Sequence, residues 1–231
     1  TEAVLRLHGE MAEHLVDLDT LTAWGDDLRS MVDTLPPGPR QRAAPSKDLI
    51  KIQEVIDERR ELLPMVAALR DAMREQSALD FGSQMSLAAR LVVSNPEVVT
   101  AERTAFRAVL LDEYQDTSHA QRVLLRSLFG EGADPSLTVT AVGDPMQAIY
   151  GWRGATAANL AAFVEDFPST EGPAPKKQLT TSWRNPPEVL DLANGVSDAV
   201  LGTAEDRAVA QLEPRPAADA VRSCPARLSR D

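Results

Sequence analysis

Apolar residues recur at spacings of three and four through the first third of the chain, the period of a helix with one buried face. Val4, His8, Met11, Leu15 and Leu18 mark one stripe, and Leu21, Trp24, Leu28, Met31 and Leu35 a second. Pro36-Pro37-Gly38-Pro39 interrupts the pattern, and the segment to Pro45 reads as a loop. Ser46 is placed to cap a third helix carrying Leu49, Ile52 and Ile56. Proline has no amide hydrogen to donate, so Pro64 is expected to end or kink that helix before Met65 to Met73 resume the stripe. Helix packing alone accounts for these stripes.

The pattern shortens after residue 105. Val109-Leu110-Leu111 is an apolar run expected to form a strand buried on both faces. Ala120, Val123, Leu124 and Leu128 restore the helical period, closed by Gly130. Leu137 to Val142 predicts a second strand, Thr156 to Phe167 a helix, and Lys177 to Thr180 a third strand. Asn185-Pro186-Pro187-Glu188 predicts another helix start, with an Asn cap, Pro at the first helical position and Glu three residues after the cap. Strands alternating with helices imply an α/β fold, a parallel sheet with flanking helices. The last 25 residues are rich in Ala and Pro and predict no element.

Composition narrows the picture only a little. Hydrophobic residues make up 43% and charged residues 26% of 231, an ordinary globular balance. No apolar run approaches the ~20 residues of a membrane span, and Thr1-Glu2-Ala3 has no secretory character. Cys224, the only cysteine, rules out an internal disulfide and fits a reducing cytoplasm. The net charge of -11 argues against a protein that coats nucleic acid through a basic surface. It leaves open a narrow single-strand channel that binds bases by aromatic stacking.

The chemistry concentrates at the predicted strand ends. Val109-Leu110-Leu111 runs into Asp112-Glu113-Tyr114-Gln115-Asp116, delivering carboxylates to the sheet edge where α/β proteins bind ligands. Asp112 is suited to hold Mg²⁺ near nucleotide phosphates, and Glu113 to polarise an attacking water. In isolation the same run also describes an acidic turn. The second strand ends in Gly143-Asp144-Pro145-Met146-Gln147-Ala148-Ile149-Tyr150-Gly151-Trp152-Arg153-Gly154-Ala155. Gln147 offers an amide near that edge. Tyr150, Trp152 and Arg153 on a turn can form a base-stacking platform; the alternative is that both aromatics are core residues. In Thr181-Ser182-Trp183-Arg184-Asn185, Arg184 is placed either to reach a phosphate or to sit as an ordinary surface arginine. His8, His14 and His119 lack metal-ligand spacing and read as structural or surface residues.

Together the three runs resemble motifs II, III and IV of UvrD/Rep-like superfamily 1A DNA helicases, in the family's order and spacing. Leu79-Asp80-Phe81 resembles the family's short Asp-Phe segment upstream of motif II, and the likeness covers residues 78–202. The wording of the motifs is most similar to actinobacterial members, including subunits of helicase-nucleases that process double-strand breaks. The resemblance implies a RecA-like parallel sheet with an α-helical inserted subdomain. Residues 1–77 would be the 1B-like helical subdomain, 78–175 part of domain 1A, and 176–231 the start of domain 2A with a tail. It also implies roles. Asp112 would coordinate Mg²⁺, Glu113 would activate water, Gln147 would sense the γ-phosphate of ATP, and Arg184 would stabilise charge during hydrolysis. Tyr150, Trp152 and Arg153 would contact single-stranded DNA. Trp183 stands where the family usually has a Tyr stacked near adenine.

No Gly-x-x-x-x-Gly-Lys-Ser/Thr run occurs among these residues, and that loop supplies the amides and lysine that cradle phosphates. The expectation is therefore a fragment of an ATP-dependent 3′→5′ helicase acting on single-stranded DNA in repair or recombination, inactive alone. A second helicase or nuclease subunit is the other partner implied. The competing expectation is a non-catalytic, helicase-like scaffold that binds DNA.

Overall fold

The computed structural model describes residues 1–35, 46–130, 132, 134–156, 158–201 and 209–216; the loop expected to run to Pro45, Cys224 and most of the last 25 residues lie outside these. The chain divides into two units, Thr1–Ala174 and Pro175–Asp231. Helices and two small parallel sheets make up both.

The first unit opens with α1 (Glu2–Glu13), α2 (Leu18–Thr34) and α3 (Lys47–Glu75). Leu7, Met11 and Val66 are buried where these helices meet, with Val4, Leu18, Leu21, Leu62 and Leu63 packed around them. The first apolar stripe is not one helix, as its spacing predicts. Leu15 adopts a left-handed conformation (φ 56°), and the Leu15 and Val16 amides donate back to the Ala12 and Met11 carbonyls. That pair of bonds is a helix stop. Asp17 then caps α2 by accepting from the Thr20 amide at 2.7 Å, so Leu18 belongs to the next helix. Ser46 caps α3 through the Leu49 amide. Pro64 does not end α3, which runs unbroken to Glu75. The partners on its apolar face hold the helix through the missing hydrogen bond.

Helices α4 (Phe81–Ser94) and α5 (Pro96–Ala105) lead into β1 (Ala108–Leu111), α6 (His119–Phe129), β2 (Thr138–Ala141) and α7 (Ala158–Asp166). Strands β1 and β2 pair in parallel, Ala108 opposite Thr138 through Leu111 opposite Ala141. The expectation that β1 is buried on both faces is overturned. Val109 and Leu111 are half-buried, but Leu110 is 80% exposed. The described chain covers one face of the pair and leaves the other open, so the strand alternates with the two-residue period of a half-covered sheet. Ser118 caps α6 reciprocally with Gln121, and the buried Asp166 carboxylate holds Arg122 by two bonds (2.5 and 3.0 Å) across to α7.

In the second unit the strand expected at Lys177–Thr180 falls instead at β3, Thr181–Ser182, paired in parallel with β4, Glu213–Pro214. Helix α8 spans Pro187–Leu201 and starts one residue later than its proline signature predicts. The Pro186 carbonyl, not that of Asn185, accepts the first helical bonds, from Val189 and Leu190. Asn194 of α8 bonds both backbone groups of Leu212 (2.8 and 2.9 Å), which fastens the approach to β4.

Candidate functional site

Both strands of the β1/β2 pair point their C-terminal ends to one edge, and the polar residues there are cross-bonded. Asp112 leaves β1 and its Oδ1 accepts the Glu113 amide at 3.0 Å. Glu113 takes a left-handed conformation (φ 50°, ψ 41°), uncommon for a residue with a side chain, which turns the chain sharply. Tyr114 then donates its amide to the Val142 carbonyl at 2.9 Å, tying the turn after β1 to the end of β2. Asp112 and Glu113 are exposed and line an open groove of about 380 Å³ with Met85, Leu124 and Leu125.

Beneath them lie two fully buried side chains. The Tyr114 ring meets Phe163 and Phe167 edge-on at 5.4 and 6.5 Å. Burial, with the Asp166 carboxylate nearby, pushes its hydroxyl up to about 12, so it stays protonated at any physiological pH. Gln115 carries no exposed surface. Its Nε2 donates to Glu113 Oε2 at 2.6 Å, and its Oε1 accepts the Asp144 amide at 3.0 Å. A Cβ on Gly143 would lie 2.6 Å from that Oε1, so only glycine permits the approach.

From Asp144 the loop after β2 organises itself. Asp144 accepts the Met146 amide (2.9 Å) and the Gln147 side-chain amide (2.8 Å). Gln147 therefore sits, exposed, at the same strand edge as Glu113. The loop returns to Asp116, whose Oδ1 accepts the Ile149 amide at 3.3 Å. Tyr150 and Trp152 follow, with ring centroids 6.2 Å apart and planes tilted by 47°. Trp152 is 79% exposed and Tyr150 39%, so neither is a core residue of this chain. Gly154 closes the turn at φ 77°, where its missing side chain avoids strain. The Arg153 side chain lies outside the described residues.

Trp183 and Arg184 belong to the second unit, directly after β3, and both are exposed. Of the candidate residues, the first unit thus brings together Asp112, Glu113, Gln147, Tyr150 and Trp152. Gln115 and Gly143 stand inside the runs that carry the resemblance, but residue type and spacing assign neither of them a role. His8 is structural: it is buried and contacts Arg70, Ser83 and Asp80, joining α1, α3 and the start of α4. Burial works against ionisation of Asp80, yet the Ser83 amide and hydroxyl and His8 hold its carboxyl below the usual range.

Among the described residues, no three His, Cys, Asp or Glu side chains converge as a protein-only metal cage. One exposed carboxylate beside an open groove fits the other common arrangement, Mg²⁺ held by one protein oxygen, phosphate and water.

Helices packed with small parallel sheets make this an α/β protein, with carboxylates at the strand ends and an exposed aromatic loop in the same unit. The chain belongs to the UvrD/REP helicase N-terminal domain family, whose model matches residues 34–168. It is 36% identical over 138 residues to ATP-dependent DNA helicase UvrD1 of Mycobacterium tuberculosis, covering 58% of this chain and 17% of that protein. DNA helicase II of Escherichia coli is 33% identical over 129 residues, 56% of this chain and 17% of the relative. ATP-dependent DNA helicase Rep of Salmonella typhimurium is 32% identical over 178 residues, 77% of this chain and 23% of the relative. The chain therefore spans between a sixth and a quarter of the length of these curated relatives. No described helix is long and apolar enough to cross a membrane.

Proposed function

We propose that this chain is part of a cytoplasmic ATP-driven motor that moves 3′→5′ on single-stranded DNA in repair or recombination, partnered by a second helicase or nuclease subunit. One observation carries the reading: the buried Gln115 bonds Glu113 to Asp144, and Asp116 bonds Ile149, so the turn after β1 holds both ends of the segment that leads into the aromatic pair. A nucleotide-driven DNA motor needs that adjacency, because phosphate chemistry must change the grip on a base. Residues 1–77 serve as the 1B-like helical subdomain inserted into a RecA-like domain 1A, 78–175 as part of domain 1A, and 176–231 as the start of domain 2A.

Asp112 would hold Mg²⁺ through its exposed carboxylate, and the ion would supply charge neutralisation at the phosphates of ATP. Glu113 orients and deprotonates the attacking water, a role worth about 10²- to 10⁴-fold in rate. Gln147, steered by Asp144, places its amide toward the terminal phosphate. Arg184 stabilises the charge that develops on the transferring group, and Trp183 packs on the adenine; for these two, the family's motif supplies the support. Tyr150 and Trp152, with Arg153, take single-stranded bases, and the tilt between the two rings suits stacking on their outer faces.

The chain holds no Gly-x-x-x-x-Gly-Lys-Ser/Thr run, so the isolated 231 residues do not turn over ATP. The test is ATP turnover by a full-length protein carrying this chain, with and without single-stranded DNA. Turnover stimulated by DNA and lost in Glu113→Gln is expected. Turnover by the isolated chain, or none by the full-length protein, contradicts the reading.

A further inference from the structure

We infer that Gln115 and Asp116 are positioning residues that fasten the water-activating carboxylate to the loop bearing the aromatic pair, an inference that rests on the function proposed above. A fully buried primary amide must satisfy its donors and its acceptor within the protein. The orientation of the Gln115 amide is fixed by its partners. Only its oxygen can accept the Asp144 amide, and only its nitrogen can donate to carboxylates. That nitrogen carries two hydrogens and has two acceptors, Glu113 Oε2 at 2.6 Å and Asp116 Oδ2 at 3.5 Å. The other oxygen of Asp116 accepts the Ile149 amide at 3.3 Å.

The segment from Asp144 to Ile149, which carries Gln147, is thus tied at its two ends to two consecutive residues. Tyr150 follows immediately. Gly143 provides the gap through which Gln115 reaches the loop. Now consider Glu113 turning toward a water. The Gln115 nitrogen must either follow it or give up a 2.6 Å bond and lean on Asp116, while the oxygen stays on Asp144 because no solvent can replace that bond. Either response shifts the balance between the two tethers of the loop. A side chain with two acceptor choices at one end and one fixed donor at the other is a physical route from nucleotide to base contact, of the kind a coupling claim requires. It involves no additional chemistry at Glu113 itself.

The experiment uses the full-length protein carrying this chain. Gln115→Met keeps side-chain length and removes all three bonds; Gln115→Glu keeps the acceptor for Asp144 but sets a carboxylate against Glu113 and Asp116. With single-stranded DNA present, kcat is expected to fall about a hundredfold, as small misplacements of a reacting group do. The KM for ATP and the nucleotide-free affinity for oligo-dT are expected to stay within about threefold of wild type. Wild-type kcat in Gln115→Met overturns the inference. So does a loss of kcat, KM and DNA affinity together with a collapsed melting transition in both variants, which marks a packing residue only. If Gln115→Met does not fold, Gln115→Glu is judged by the same criteria. DNA-stimulated turnover in the wild type with an unaffected Gln115→Met sinks this inference alone. No turnover in the wild type sinks the proposed function and this inference with it.

Discussion

The α1–α3 helices and the β1/β2 strand ends are both ordered, but by different interactions. Between the helices, Leu7, Met11 and Val66 are buried against other apolar side chains, and what matters is volume. At the strand ends Gln115 is fully buried, and the contacts through which it places the site are hydrogen bonds of fixed polarity. A packed apolar region accepts many residues of similar size. A buried polar cluster does not, because changing one atom from donor to acceptor strands its partner without water. The site is therefore expected to be the less forgiving region.

The largest expected effect sits just below the strand ends. Arg122→Ala leaves Asp166 buried without its two-pronged partner, and breaking such a pair costs about 3–5 kcal/mol. Arg126, 3.8 Å from the same carboxylate, keeps the loss toward the lower figure. Urea titration of the two proteins measures it; a change within error would remove polar bonding as the organiser of this region.

Gly143→Ala tests the close approach directly. The added methyl would sit 2.6 Å from Gln115 Oε1 and 3.3 Å from Leu160 Cδ1, so the amide must leave Asp144 or the loop must move. Overpacking of this kind costs about 1–3 kcal/mol, and turnover is expected to fall with it. Met11→Leu is the control in the helical region. Similar volume limits its cost to less than about 1.5 kcal/mol, with turnover unchanged. Equal losses from the two substitutions would erase the contrast.

The smallest effect is a pH dependence where α1 meets α6. His14 and His119 stack with ring centroids 6.3 Å apart. Burial first, then His14 and Arg122, lower the His119 pKa from its ordinary 6.5. Because the folded value lies below the unfolded one, the neutral form favours folding. That contribution is complete above pH ~6.5 and is lost as pH falls through the folded value. His119→Gln is expected to flatten the melting temperature between pH 7 and 5; an unchanged slope would assign it elsewhere.

Local signals in the sequence were reliable guides where a local cause decides the outcome. Ser46 caps α3 as its position predicts, and both β1 and β2 end at their polar turns. The stop at Leu15 was hidden because neither Gly nor Pro marks it. The exposure of Leu110 was hidden because an apolar run does not say which faces its neighbours cover. The two-residue strand β3 is too short for any period to register. Asp112, Glu113 and Gln147 could be singled out from residue type and the strand ends that carry them. Gln115 could not, because its decisive partner, Asp144, is 29 residues away, and only the fold brings them together.

The most direct test of a division between a nucleotide edge and a base-contacting loop is a paired measurement on the full-length protein: oligo-dT affinity and ATP turnover in Glu113→Gln and Trp152→Ala. The account predicts a crossover. Glu113→Gln keeps its affinity and loses turnover by at least about a hundredfold. Trp152→Ala loses about 1–3 kcal/mol of affinity and retains turnover once DNA is saturating. Loss of affinity in Glu113→Gln, or full affinity in Trp152→Ala, would contradict that assignment.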